Sequence, residues 1–191
     1  MVFGSEQTQA LLNAYKLNYK KFPFNNSPLE IFSKLQKRYE TTYLLESIEG
    51  PKKLAQYSFI GFAPSLTIQI KNGNTEIRNK KTDEIITEKT SDPLHAIAKL
   101  VKGKKVLNSN FRFVGGAVGY ISYDAIRYWE KLPQKSRDDL NFPDAQLGFF
   151  DDGIVFDHKQ KSAFYYYSGN NRFTEVEALM TQPCDTETLE Y

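Results

Sequence analysis

Glu46 and Ser47 close the stretch Leu44-Leu45-Glu46-Ser47, an acid and a hydroxyl at the end of an apolar run just before Gly50-Pro51. Such a pair fits a solvated strand end. It fits equally a small-ligand site in which the carboxylate accepts from an ammonium group and the hydroxyl donates or accepts a hydrogen bond. Other groups able to do chemistry are sparse. A nucleophilic triad or a zinc site needs histidines, and the chain offers His95, in the first turn of an expected helix, and His158, in an expected hairpin turn. Neither stands at a metal-ligand spacing from another ligand type. The single cysteine, Cys184, excludes an intrachain disulfide framework, fits a reducing compartment and has no catalytic or metal-binding partner beside Pro183. Gly115-Gly116-Ala117-Val118-Gly119 is neither G-x-G-x-x-G nor a P-loop, so its glycines point to strand bending or close backbone packing. Asp151-Asp152-Gly153 reads as turn chemistry rather than a metal-binding acidic pair. Asp124 and Arg127, three apart, suit a local ion pair. These residues complete no catalytic constellation, and no catalytic or metal-ligating residue is expected.

The elements that must carry these groups are written locally. Ser27 can cap a helix, Pro28 fits its first position and Glu30 closes an S-x-x-E box, after which Ile31, Phe32, Leu35 and Tyr39 recur on one face. A second helix is expected from Asp92-Pro93, with Leu94, Ile97, Ala98 and Val101 on one face and a stop near Gly103. Asn72-Gly73 between two alternating runs is a strong hairpin signal. Residues 84–90 supply a third strand, 113–123 a long glycine-rich one, and 153–167 a second hairpin turning near Asp157 to Gln160. In that hairpin Tyr165-Tyr166-Tyr167 fits two-sided burial better than base stacking, since no Lys or Arg interleaves it. Consecutive hairpins with helices set apart from them predict an α+β fold, a mainly antiparallel β-sheet or sandwich with helices packed on it. From about Glu175 onward the polar, acidic composition suggests a helical linker or frayed tail.

Composition narrows the function classes. A chain of 191 residues, 40% hydrophobic, can bury a sizeable core, and its length suggests one domain or a compact part of a larger protein. The 25 basic and 23 acidic residues are mixed in order, for a net charge of +2, which gives no footprint for nucleic acid or an anionic membrane. Lys52-Lys53, Lys80-Lys81 and Lys104-Lys105 flank expected turns and read as solvated surface. The sequence holds no run of about 18 apolar residues and no signal-peptide pattern, so a cytoplasmic protein is expected.

Taken in order, residues 44–47 (LLES), 57–61 (YSFIG), 115–133 (GGAVGYISYDAIRYWEKLP) and 156–158 (FDH) resemble the amino-terminal region of the anthranilate synthase component I family, over roughly residues 28 to 170. The sister family, aminodeoxychorismate synthase component I, shares much of the pattern. The resemblance implies an enzyme that converts chorismate and ammonia to anthranilate and pyruvate with Mg2+. A glutamine amidotransferase subunit supplies the ammonia, and chorismate and metal are held by a carboxyl-terminal domain beyond this chain. It implies an amino-terminal regulatory domain over residues 1–174 and the start of a linker over 175–191. It also implies that Leu45, Glu46 and Ser47 belong to the feedback site for L-tryptophan, with Tyr57 and Ser58 as neighbours. Some relatives carry a basic residue where this chain has Gln56, which leaves Lys53 or backbone N–H groups to meet the ligand carboxylate. Adjacent strand residues face opposite ways, so Glu46 and Ser47 enter one pocket by their side chains only if a bulge or strand end re-aims one of them. A stand-alone ligand-binding module is the alternative from a different class.

Overall fold

The computed structural model describes residues 17–23, 25–46, 56–101, 111–133 and 138–182. They form two antiparallel sheets with a few helices, each sheet in its own compact unit.

The first unit comprises the described residues within 17–63, 111–114 and 152–182. Its strands are β1 (Asn18–Phe22), β2 (Thr42–Glu46), β3 (Tyr57–Phe62), β9 (Asp152–Asp157) and β10 (Ser162–Tyr167), in the order β1-β10-β9-β3-β2. Helix α1 (Pro28–Arg38) starts as its sequence requires: Glu30 N–H donates to Ser27 Oγ at 3.2 Å and Ser27 N–H donates to Glu30 Oε2 at 2.6 Å. Those bonds to Ser27 hold the Glu30 carboxyl below its usual range. Ile31 and Leu35 on its inner face join Ile60, Phe62, Ile154, Phe156 and Tyr165 from the sheet in one core. The opposite face packs Val155 and Tyr166 with Leu17, Tyr57, Phe59 and Phe111. Burial on both faces is why β9 and β10 read as nearly continuous apolar runs, and Tyr165 and Tyr166 are buried as expected.

One sequence expectation fails in this unit. Asp152 is not a turn residue but the first residue of β9, and its carboxylate is buried. It accepts from Arg172 Nε at 2.9 Å, Arg172 Nη2 at 2.6 Å and the Tyr165 hydroxyl at 2.6 Å. The Arg172 guanidinium lies 4.3 Å from the centroid of the Phe62 ring and also donates to Phe62 O. Arg172 immediately precedes α3 (Phe173–Thr181), so this pairing seats the helix, whose Val176 and Leu179 enter the core. Of the two expectations for the segment from Glu175, helical linker or frayed tail, the described residues as far as Thr181 are helix. Cys184 lies outside the described residues.

The second unit comprises the described residues within 64–101, 115–133 and 138–151. Its strands are β4 (Leu66–Lys71), β5 (Asn74–Asn79), β6 (Ile85–Lys89), β7 (Gly116–Ile121) and β8 (Ala145–Phe150), in the order β6-β5-β4-β8-β7. Asn72 and Gly73 join β4 to β5 with φ of 49° and 72°, the double left-handed turn that this dipeptide favours. A Cβ on Gly119 would lie 2.1 Å from Gln146 O on the neighbouring strand, so the glycine-rich run serves close strand packing, as expected. Helix α2 (Pro93–Val101) begins where Asp92 Oδ1 accepts from His95 N–H at 3.1 Å. It buries Ala96, Ile97 and Leu100 against Leu66, Ile68, Ile70 and Phe149, whereas Leu94 and Val101 of the expected face are half exposed. The buried stripe Pro93, Ala96, Ile97 and Leu100 is the expected one shifted by one position. Gly103 lies outside the described residues. Asp124 and Arg127 pair at 3.1 Å on a 3-10 helix (Tyr123–Tyr128), as expected.

Candidate functional site

Among the described residues β2 is the outer strand of its sheet, paired only with β3. The register places Glu46 opposite Ser58, and Ser58 opposite Phe156 of β9. Opposed residues share a face, so Glu46 and Ser58 meet: Ser58 Oγ donates to Glu46 Oε1 at 3.3 Å. His158, just past the end of β9, donates its backbone N–H to Gln56 O at 2.9 Å, which continues the ladder by one step. Its ring returns diagonally to Ser58, with Nε2 2.7 Å from Ser58 Oγ. An exposed carboxylate, a buried hydroxyl and an imidazole thus form a row that runs inward from the outer strand β2 across β3 to the end of β9. Asp157 holds the turn that carries His158, its Oδ1 accepting from Lys159 and Gln160 N–H, both at 2.9 Å.

Strand alternation separates the other expected site residues from this row. Leu45 and Tyr57 point to the opposite face. Leu45 is 44% exposed, while Tyr57 packs edge-on against Phe111 at 5.7 Å and its hydroxyl accepts from Gln56 Nε2 at 2.9 Å. The same Gln56 amide donates to the Asp157 carboxylate at 3.3 Å. Ser47 and Lys53 lie outside the described residues.

Glycines on β3 and β9 shape the Leu45 face. A Cβ on Gly61 would fall 2.1 Å from the Tyr43 ring, and one on Gly153 would fall 2.5 Å from both Ile60 O and the Tyr166 hydroxyl. Each glycine is opposed across the ladder by the tyrosine whose ring covers it. Burial pushes the Tyr43 hydroxyl up to about 12 and Tyr166 well above its ordinary value.

The second unit has a cavity of about 440 Å³ lined in part by Lys71, Asp124, Arg127, Tyr128, Asp138 and Asp144. Its charges are turned on one another. Lys71 pairs with Asp138 and lies 3.8 Å from Asp144, which accepts from Asn72 N–H at 2.8 Å and the Tyr128 hydroxyl at 2.7 Å. The hydrogen bond to Asp138 holds the Lys71 ammonium above its usual range, and Lys71 in turn holds Asp138 below its own. Among the described residues no three His, Cys, Asp or Glu side chains are grouped to hold a metal ion. No described helix is long and apolar enough to cross a membrane.

Residues 40–190 match the model of the family described as chorismate binding enzyme. The chain belongs to that family. Similar members include anthranilate synthase component 1 of Methanothermobacter marburgensis, 35% identical over 95% of this chain and 37% of its own length. The corresponding protein of Methanothermobacter thermautotrophicus is 32% identical over 86% of this chain and 34% of its own length. Aminodeoxychorismate synthase component 1 of Bacillus subtilis is 40% identical over 75% and 30%. The crystal structure of anthranilate synthase component I from Streptococcus pneumoniae TIGR4 shares the fold, with a TM-score of 0.51 at 23% identity, covering 85% of this chain and 35% of that one. The chain therefore spans about a third of the length of the curated relatives it matches.

Within this family member the motifs divide. Residues 57–61 and 156–158 meet in the first unit beside Leu44 to Glu46, while 115–133 build β7 and part of the cavity wall in the second. Sequence reasoning left His158 without a partner and missed Arg172 altogether. His158 meets Ser58 across 100 positions and Arg172 meets Asp152 across 20, and only the tertiary fold supplies such contacts. The available signal was the bare recurrence of "FDH" and "YSFIG" together.

Proposed function

We propose that this chain is the amino-terminal, tryptophan-sensing part of an anthranilate synthase component I. The larger enzyme takes chorismate and amidotransferase-derived ammonia to anthranilate and pyruvate in the cytoplasm. Mg2+ and chorismate are held by a carboxyl-terminal domain outside this chain, and the 191 residues alone make no anthranilate. The names and spans of the relatives support the enzyme class. The sensing role rests on one observation, the exposed Glu46 carboxylate at the open edge of β2, set in place by Ser58. A carboxylate there accepts from the ammonium group of an amino acid. The split of side chains between faces supports a ligand lying across the strand edge, with its indole toward Leu45 and Tyr57 and its ammonium toward Glu46. Inhibition follows when tryptophan binds one arrangement of the larger protein better than another, because equal affinity shifts nothing.

The test uses the full-length enzyme. Loss of one hydrogen bond costs on the order of 1 kcal/mol, more when one partner is charged, so Ser47→Ala and Glu46→Gln each raise the tryptophan concentration for half-inhibition roughly five-fold or more. Unchanged inhibition in both variants would remove the sensing role. The similarity to the Bacillus subtilis protein favours a second reading, aminodeoxychorismate synthase component 1. Product analysis decides between them: 4-amino-4-deoxychorismate in place of anthranilate establishes the second.

A further inference from the structure

Ser58 has no exposed surface, and its single hydroxyl proton lies between two acceptors of different kind. Glu46 Oε1, 3.3 Å away, is a carboxylate oxygen and only accepts. His158 Nε2, 2.7 Å away, accepts in one neutral tautomer and donates in the other, and donates again when the ring is charged. If Nε2 is bare, the serine proton turns to the histidine and Glu46 loses that donor. If Nε2 carries hydrogen, it donates to Ser58 and leaves the serine proton for Glu46. We propose that His158 is a positioning residue of the ligand site. Its Nε2–H, donated to Ser58 Oγ, commits the Ser58 proton to Glu46 and holds that carboxylate in the orientation that receives an amino-acid ammonium group.

The local backbone is built for this task. The His158 N–H is tied to Gln56 O at 2.9 Å, and the buried Asp157 carboxylate fixes the turn from the other face. The ring is therefore aimed by Gln56 across the ladder and by its sequence neighbour Asp157. Ser58, being buried, keeps water from competing for the relay proton at its centre. The inference rests on Glu46 being the ammonium acceptor, as proposed above.

The experiment measures L-tryptophan affinity of the full-length enzyme by calorimetry for His158→Ala, His158→Gln, Glu46→Gln and the double variant His158→Ala/Glu46→Gln. Loss of the relay weakens binding about five-fold in His158→Ala. His158→Gln, which can present an amide N–H near the place of Nε2, restores affinity to within about two-fold of the parent. In the Glu46→Gln background the histidine substitution adds less than about a two-fold effect, because it acts through the carboxylate. A merely structural histidine gives additive losses and no rescue by glutamine, and that result overturns the relay. If Glu46→Gln weakens binding while His158→Ala does not, the relay fails and the sensing site stands. Absence of tryptophan binding by the parent enzyme removes both. Nitrogen-15 resonances of the His158 ring give a ligand-independent readout. Hydrogen on Nε2 is expected, and a ring protonated at Nδ1 alone overturns the proposal even if every substituted protein misfolds.

Discussion

At the open edge of its sheet the first unit presents Glu46 to solvent with Ser58 as its described donor, whereas the cavity of the second unit surrounds Asp144 with Asn72 N–H, the Tyr128 hydroxyl and Lys71. Both sites hold carboxylates, yet they differ in unspent hydrogen-bonding capacity. A carboxylate has about four acceptor positions. Those of Asp144 are largely used by its own unit, so a ligand would have to displace partners already in place. Glu46 keeps acceptor positions toward solvent, which is why the smaller feature, and not the cavity, carries the functional proposal. The first unit also contains the opposite extreme, since Asp152, as buried as Asp144, is answered at both oxygens by Arg172 and by the Tyr165 hydroxyl.

Breaking that extreme gives the largest expected effect. Asp152→Ala leaves the Arg172 guanidinium buried without its carboxylate, and uncompensated buried charge costs about 3 to 5 kcal/mol. Urea unfolding should show this loss, together with release of α3 from the core. The double substitution Asp152→Leu/Arg172→Met should recover most of it, because removing both charges leaves no orphan. If Asp152→Ala changes stability by less than about 1 kcal/mol, the pairing is not what seats α3.

The next effect tests how tightly the Leu45 face is built. Gly153→Ala sets a Cβ against the backbone oxygen of Ile60 and the Tyr166 hydroxyl, and the backbone atom cannot swing aside. Overpacking of this kind costs about 1 to 3 kcal/mol. Gly61→Ala meets the Tyr43 ring instead, and the nearer edge of the sheet gives that ring more room to move, so the loss should be the smaller of the two. Equal losses, read from thermal unfolding, would mean that β9 and β3 are equally confined.

These residues also separate what was legible in the sequence from what was not. The Ser27-Glu30 box and the Asn72-Gly73 turn act over at most three residues, so their chemistry is complete in the sequence. The face of α2 was not, because Leu94 and Leu100 give two overlapping apolar stripes and only the sheet beneath chooses between them. Asp152 illustrates the same limit: beside Gly153 it is an ideal turn residue by local chemistry, and the partner that overrules this lies at Arg172. At the candidate site, Glu46 stands out from the sequence as an acid ending an apolar strand. Its relation to Ser58 and His158 depends on the registers of β2 with β3 and β3 with β9, which no local pattern encodes.

An alkaline titration sharpens the contrast between the buried tyrosine row and ordinary surface groups. Burial raises the Tyr43 hydroxyl to about 12, against about 10 in an unfolded chain. The folded state then holds a proton that the unfolded state has released. The contribution is intact below about pH 10 and is lost as pH rises toward about 12. The urea midpoint should fall over that window, and Tyr43→Phe should make the fall shallower. An identical slope in the variant would show that Tyr43 is not buried in its neutral form.

The smallest effect belongs to the cavity of the second unit, where the comparison is easiest to break. Asp124 and Arg127 pair at 3.1 Å, but their side chains are 65% and 34% exposed, and exposed pairs contribute about 0 to 1 kcal/mol. Asp124→Asn should therefore shift stability by less than about 0.5 kcal/mol, and added salt should erase even that. Arg127→Ala should cost more, on the order of 1 kcal/mol, because Arg127 Nη1 also donates to Leu132 O at 3.2 Å and the truncation leaves that carbonyl without this donor. The asymmetry between the two partners is the measurement, made by urea unfolding at low and high salt. A loss above about 2 kcal/mol for Asp124→Asn would mean that the cavity charges are strained against one another rather than mutually satisfied. Asp144 and its neighbours would then be as much a candidate binding site as Glu46.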